Sequence, residues 1–129
     1  MKPYVRWAVT LAYAAGLFYL SSRPWSGVPT IPYIDKIAHL GLYAGLGFLC
    51  LWSLQGTLAT SRNHLFFIAM AAVIAYGLSD EMHQMFVPGR SAEFGDLIAD
   101  ALGGALGVFL ALWATGRSGA ADEGSVDRS

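Results

Sequence analysis

Apolar residues in this chain come in long unbroken runs, without the strict alternation of a half-buried strand or the polar stripe of a surface helix. Tyr4 to Leu20, Ile37 to Leu54, Leu65 to Leu78 and Leu97 to Trp113 are each dominated by Ala, Leu, Ile, Val, Phe and Trp. Turn-forming residues part them: Pro24, Gly27, Pro29 and Pro32 in the first gap, Thr60 to Asn63 in the second, and Pro88 with Gly89 in the third. Helices that are apolar all round belong in lipid or in the centre of a large core, and runs of this length suit lipid. The pattern predicts an all-α fold, an integral membrane bundle of four transmembrane helices. Lys2 and Arg6 ahead of the first run, with Ser21 and Ser22 behind it, also fit a cleaved signal peptide. Without that run, however, the bundle formed by the other three would lose a wall.

Length carries information about depth. As a helix, Leu65 to Leu78 rises only about 21 Å against a hydrocarbon core of about 30 Å, so the third helix is expected to run roughly six residues further. That extension takes Asp80, Glu81, His83 and Gln84 to the membrane interface or below it. Asp100, inside the fourth run, is expected to be submerged as well.

Composition narrows the class. The chain has 129 residues, 55% hydrophobic and only 13% charged, with mean hydropathy +0.48, which excludes an ordinary soluble domain. Residues 1–115 read as one membrane domain. Residues 116–129, rich in Gly, Ser, Ala and charge, read as a disordered tail. A net charge of −1 and no stripe of Lys and Arg leave no case for nucleic acid. Cys50 is the only cysteine, so no intrachain disulfide or thiolate metal cluster can form, and it reads as core filling.

Charge is unevenly distributed between the two ends of the predicted bundle. Lys2, Arg6, Arg62, Arg117 and Arg128 fall on one side, and Arg23, Lys36 and Arg90 on the other. This places both termini in the cytoplasm by the excess of basic residues there. Asp35, Asp80, Glu81, Glu93, Asp96 and Asp100, six of the nine carboxylates, gather towards the outer end.

Three polar constellations arise there. Asp35, His39 and Tyr43 share one face of the second helix at i, i+4 and i+8, with Lys36 beside them. The plain alternative makes Asp35 a helix cap, Lys36 a snorkelling anchor and His39 an interfacial residue. At the end of the third helix Asp80 shares a face with His83 and Gln84, while Glu81 points about 100° away; Arg90 is placed to pair with either carboxylate and pin the Pro88-Gly89 turn. On the fourth helix Asp96, Asp100, Gly103 and Gly107 form one stripe that joins charge to close packing. Gly41 and Gly45 offer a second small pair.

Asp35, Asp80, Glu81, Asp96 and Asp100 against Lys36 and Arg90 leave a net −3 before His39 and His83 protonate. Crowded acids of this kind are relieved by holding a proton or taking up a cation. Three chemistries fit: a divalent-cation site of carboxylates and imidazole, proton transfer by His39 or Glu81, or a headgroup pocket in which Lys36 and Arg90 hold phosphate. Neither a Gly-x-Ser-x-Gly elbow nor an H-E-x-x-H helix is present.

"DKIAH" at Asp35 to His39, followed by "SDEMHQMFVPGRSAEFGDLIADALGG" from Ser79, resembles the VanZ-like family of small bacterial membrane proteins. The family pattern is Asp-Lys with a His three positions after the Lys, then Glu, Gln, a Pro-Gly-Arg-Ser-like turn and an Asp before a Gly-rich last helix. The resemblance spans about Pro24 to Gly107, and its matching positions are Asp35, Lys36, His39, Glu81, Gln84, Arg90 and Asp96. Leu40 stands where members commonly have an aromatic, Asp100 where they often have Asn, and His83 lies outside the pattern.

The resemblance implies a multi-pass protein of the bacterial cytoplasmic (inner) membrane, in a family named for a protein associated with resistance to the glycopeptide teicoplanin. The expected function is binding or modification of a lipid-linked or phosphorylated envelope precursor. His39, Glu81 and Asp96 are the candidate catalytic residues. Asp35, Lys36, Tyr43, Asp80, Gln84, Arg90 and Asp100 are the candidate binding residues. A divalent cation is the cofactor the donor set admits, the lipid bilayer is the certain partner, and a homo-oligomer stays open. The rival reading is a non-enzymatic scaffold whose charges are structural.

Overall fold

A computed structural model describes residues 1–24 and 31–126, with side chains described as far as Gly116. Gly27 and Pro29 of the first connection, and the Arg117 and Arg128 side chains, lie outside the described residues. Among the described residues the chain forms four helices: α1 (Pro3–Ser21), α2 (Ile34–Thr57), α3 (Arg62–Gln84) and α4 (Phe94–Val126). α3 continues past Leu78 to Gln84, as the depth of the bilayer requires. The α4 backbone is helical beyond Gly116, where composition alone suggests a disordered tail.

Helix ends follow local chemistry. Pro3 opens α1, where its missing N–H costs nothing. Ser61 caps α3 by accepting a hydrogen bond from the His64 backbone N–H at 3.3 Å. Gly89 sits at φ +79°, the left-handed conformation that glycine adopts most freely, and so allows α3 to turn back towards α4.

Among the described residues, three helical segments are long and apolar enough to cross a membrane: Ile34–Thr57, Arg62–Gln84 and Phe94–Gly116. The expectation of a fourth spanning helix is corrected here. α1 is the shortest of the four helices, and its apolar stretch from Trp7 to Leu20 rises only about 21 Å, less than the hydrocarbon core. Its polar residues have neighbours instead. Arg6 Nη1 donates to the Trp52 carbonyl and Trp7 Nε1 to Thr57 Oγ1, each at 2.8 Å. Thr10 Oγ1 bonds Ser53 Oγ, and Tyr13 OH donates to the Leu42 carbonyl, also at 2.8 Å. α1 therefore lies antiparallel along α2, with Arg6, Trp7, Thr10 and Tyr13 turned to it.

The central pair is α2 and α4, which run parallel and in backbone contact. A Cβ on Gly103 would strike the Leu40 carbonyl, one on Gly107 the Ala44 carbonyl, and one on Gly47 the Gly104 carbonyl. Glycine at these positions lets the helices approach more closely than any side chain permits, the usual route to tight association in lipid. The Gly41-Gly45 pair plays no part in this seam: Gly45 faces the Tyr13 ring of α1, and Gly41 faces open space. Around the seam Cys50, Leu51, Leu65, Ala69 and Val108 form an apolar core. Phe67, Leu102, Phe109 and Trp113 project outwards, as lipid-facing side chains do.

Gly107→Ala is expected to lower stability by about 1–3 kcal/mol through overpacking, and Gly41→Ala to change it by less than about 0.5 kcal/mol. Thermal unfolding of both variants in detergent, followed by tryptophan fluorescence, checks the contrast.

Candidate functional site

Parallel packing puts the first turns of α2 and α4 side by side, and antiparallel α3 brings its last turns to the same end. Asp35 and Asp96 lie in the first turns of α2 and α4, where the unpaired backbone N–H groups favour negative charge. Between them reaches Lys36. Its Nζ lies 2.8 Å from Asp96 Oδ1, 2.8 Å from Glu93 Oε2 and 3.1 Å from Asp35 Oδ2. An ammonium has three N–H donors, so these carboxylates occupy all of them. Gly95 makes room for the stem, since a Cβ there would stand 2.9 Å from Lys36 Cε.

One turn deeper, His39 Nδ1 lies 2.8 Å from Asp100 Oδ1. An ionised carboxylate can only accept, so opposite ionised Asp100 Nδ1 carries the proton, and in the neutral ring Nε2 then holds the lone pair. Nε2 faces Asp96 Oδ2 at 3.8 Å. Asp100 is fully buried. The His39 ring stacks on Tyr43, with centroids 6.3 Å apart, and Tyr43 OH donates to Asp80 Oδ2 at 3.2 Å.

From α3, Glu81 Oε2 accepts the Glu93 backbone N–H at 2.9 Å, tying the helix end to the start of α4. Gln84 Nε2 donates to Ser21 Oγ of α1 at 3.3 Å. Four buried oxygens among these residues have no hydrogen-bond partner among the described residues: Asp80 Oδ1, Glu81 Oε1, Gln84 Oε1 and Asp100 Oδ2. Such groups are expensive to bury unless something meets them.

A cleft of about 190 Å³ opens onto this centre, lined by Asp35, His39, Gln84, Arg90, Glu93 and Asp96 among others. Half-buried Arg90 also lines a smaller recess beside Leu17, Leu20 and Asp80.

The structure thus gathers Asp35, Lys36, His39, Tyr43, Asp80, Glu81, Gln84, Arg90, Asp96 and Asp100 at one end of the bundle. His83 is not among them: it turns to α1, 2.9 Å from Ser22 Oγ and stacked on Phe18. Lys36, expected to hold an anion, instead has its donors directed at carboxylates, because Glu93 and Asp96 arrive beside it from α4. Sequence reasoning counted Glu93 among the acids but gave it no place in the site; its position three residues before Asp96, on a shared face, was the available signal. Ser21, the Gln84 partner, carried no such signal.

Fold and site together define a helical membrane protein with a buried, predominantly acidic centre at one end of its spanning helices. Residues 5–115 match the VanZ/LLP1 family, and the chain belongs to that family. Neither a curated protein nor a solved structure matches it.

Lys36→Met is expected to cost about 2 kcal/mol, less than a fully buried pair, because the Lys36 side chain is 30% exposed. Adding Asp96→Asn should recover part of that loss. Unfolding midpoints of the two single variants and the double variant measure the coupling.

Proposed function

We propose that this VanZ/LLP1-family protein binds, and chemically modifies, the phosphorylated headgroup of a lipid-linked envelope component. The observation that carries this reading is the setting of the cleft mouth. Phe86 is 84% exposed and Phe94 77%, and Tyr33, Met82 and Met85 are also exposed, all within two positions of a cleft residue in the chain. So many exposed apolar groups around a polar opening belong at a membrane interface, where aromatic rings sit among the headgroups. A cleft at that depth meets headgroups first.

In this reading Arg90, which lines both the cleft and the recess beside it, holds the phosphate. A guanidinium suits bidentate contact with phosphate oxygens. His39 Nε2, Glu81 and Asp96 move protons, with Asp100 holding the imidazole in its orientation and Lys36 positioning Asp96. The site faces away from the cytoplasm, in the inner membrane of a bacterium. Support comes from Arg6 and Arg62, whose bonds to the Trp52 and Leu112 carbonyls put them at the opposite end. The association with teicoplanin resistance, carried over as part of this proposal, makes teicoplanin susceptibility of an expressing strain the cellular readout.

One observation favours a second reading, a scaffold without chemistry: the Lys36 network satisfies itself within the protein.

Native mass spectrometry of protein extracted with its lipids separates the two. The headgroup reading expects a retained phosphorylated lipid whose occupancy falls at least about tenfold in Arg90→Ala, the loss of one charged hydrogen-bonding group, with the fold intact. Equal retention by both proteins supports the scaffold.

A further inference from the structure

We propose that His39, Glu81 and Asp96 form a binding site for one divalent cation of the nitrogen- and oxygen-accepting kind, zinc or divalent manganese. The inference rests on the same cleft as the headgroup reading and adds the ion that would meet the phosphate oxygens there.

Geometry comes first. One ligand atom from each of these three buried residues lies within 4.8 Å of the other two, and His39 Nε2 and Asp96 Oδ2 are 3.8 Å apart. Two ligands about 2.0–2.2 Å from a common ion lie roughly 3–4.4 Å from each other. The pair already has that spacing, and a Glu81 carboxylate oxygen lies within 4.8 Å of both residues' ligand atoms.

The histidine is prepared for the task. Metal-binding imidazoles usually give their other N–H to a carboxylate, which fixes the tautomer and aims the lone pair. Asp100, fully buried behind the ring, does this through the 2.8 Å bond to Nδ1. Nε2 is left facing Asp96.

Glu81 supplies an independent observation. It is only 7% exposed, its Oε2 is fixed by the Glu93 backbone N–H, and its Oε1 is buried without a partner. A half-satisfied buried carboxylate lacks a counter-charge or a proton. Lys36 cannot supply it. The neighbouring acidic triple, Asp35, Glu93 and Asp96, is where the ammonium already sits, so an ion goes to the histidine side of Asp96.

Charge balance points the same way. Asp35, Asp80, Glu81, Glu93, Asp96 and Asp100 against Lys36 and Arg90 give −6 + 2 = −4 before His39 protonates, and a dication halves that excess. Calcium prefers six to eight oxygens and magnesium a largely hydrated shell. One imidazole with two carboxylates suits zinc or manganese, and three protein ligands leave a position open towards the cleft.

The test uses the full chain in detergent, stripped with chelator and titrated with zinc chloride or manganese chloride alone. One equivalent is expected to remain after gel filtration, by elemental mass spectrometry. Glu81→Gln and His39→Gln should each weaken binding at least about tenfold, and Asp100→Asn, a positioning change, by about 10- to 100-fold. His64→Gln, at the far end of the bundle beside Ser61, should leave it unchanged. Electron spin echo of the manganese form of the unmutated protein should report a coupled imidazole nitrogen, which decides the matter even where a variant fails to fold. No retained ion, no nitrogen coupling, or unchanged binding in folded Glu81→Gln and His39→Gln overturns the site. Lipid retained by protein that takes no metal overturns this inference and leaves the headgroup reading standing. Metal bound without retained lipid supports this inference and removes the headgroup reading.

Discussion

Backbone contact between α2 and α4 is the constraint on which the rest of the molecule depends. Within a bilayer apolar side chains gain little by leaving lipid for one another, so helices associate through close fit and polar contact. Gly47, Gly103 and Gly107 provide the fit by leaving Gly104, Leu40 and Ala44 backbone atoms where a Cβ would stand. Once that register is set, the charged positions follow from helical spacing. Leu40 against Gly103 places His39 one turn of α4 away, beside Asp100, and places Lys36 a further turn up, beside Asp96. A buried seam of small residues between α2 and α4 thereby determines which acid meets which base.

Charge so placed is costly, and the fold meets most of the cost locally. Two helix N-termini favour Asp35 and Asp96, Lys36 joins three carboxylates, and His39 Nδ1 meets Asp100. Bare oxygens nonetheless remain on Asp80, Glu81 and Asp100. Stability alone is a weak reason to retain such groups, since apolar replacements of similar shape are often as stable. Ionisable side chains at membrane depth are better explained by what they bind or move. The exposed aromatic residues around the cleft and the donor set of His39, Glu81 and Asp96 give that principle a specific form here.

Much of this was legible in the sequence because helical periodicity and bilayer thickness are strong constraints. The extension of α3 to Gln84 follows from a length deficit, and the Asp96-Asp100-Gly103-Gly107 stripe follows from spacing. Other features depend on contacts that spacing does not encode. α1 reads as a span by its apolar content, but Arg6, Thr10 and Tyr13 turn to α2, and its uncharged stretch is too short. Gly41 and Gly45 look like a packing motif, while the effective glycine on α2 is Gly47. Lys36 reads as an anion holder until Glu93 arrives from the other side of a turn, a long-range juxtaposition invisible in either segment.

The central claim is that α2 and α4 pack in the register that joins His39 to Asp100 within the membrane. Solid-state NMR of the bilayer-embedded protein tests it, with isotopes at the histidine Nδ1 and aspartate Cγ in a chain carrying His64→Gln and His83→Gln. Hydrogen-bonded geometry predicts strong dipolar dephasing for a separation under about 4 Å, abolished by Asp100→Leu. No dephasing in the folded protein would mean that the register, and the charged centre built on it, is wrong.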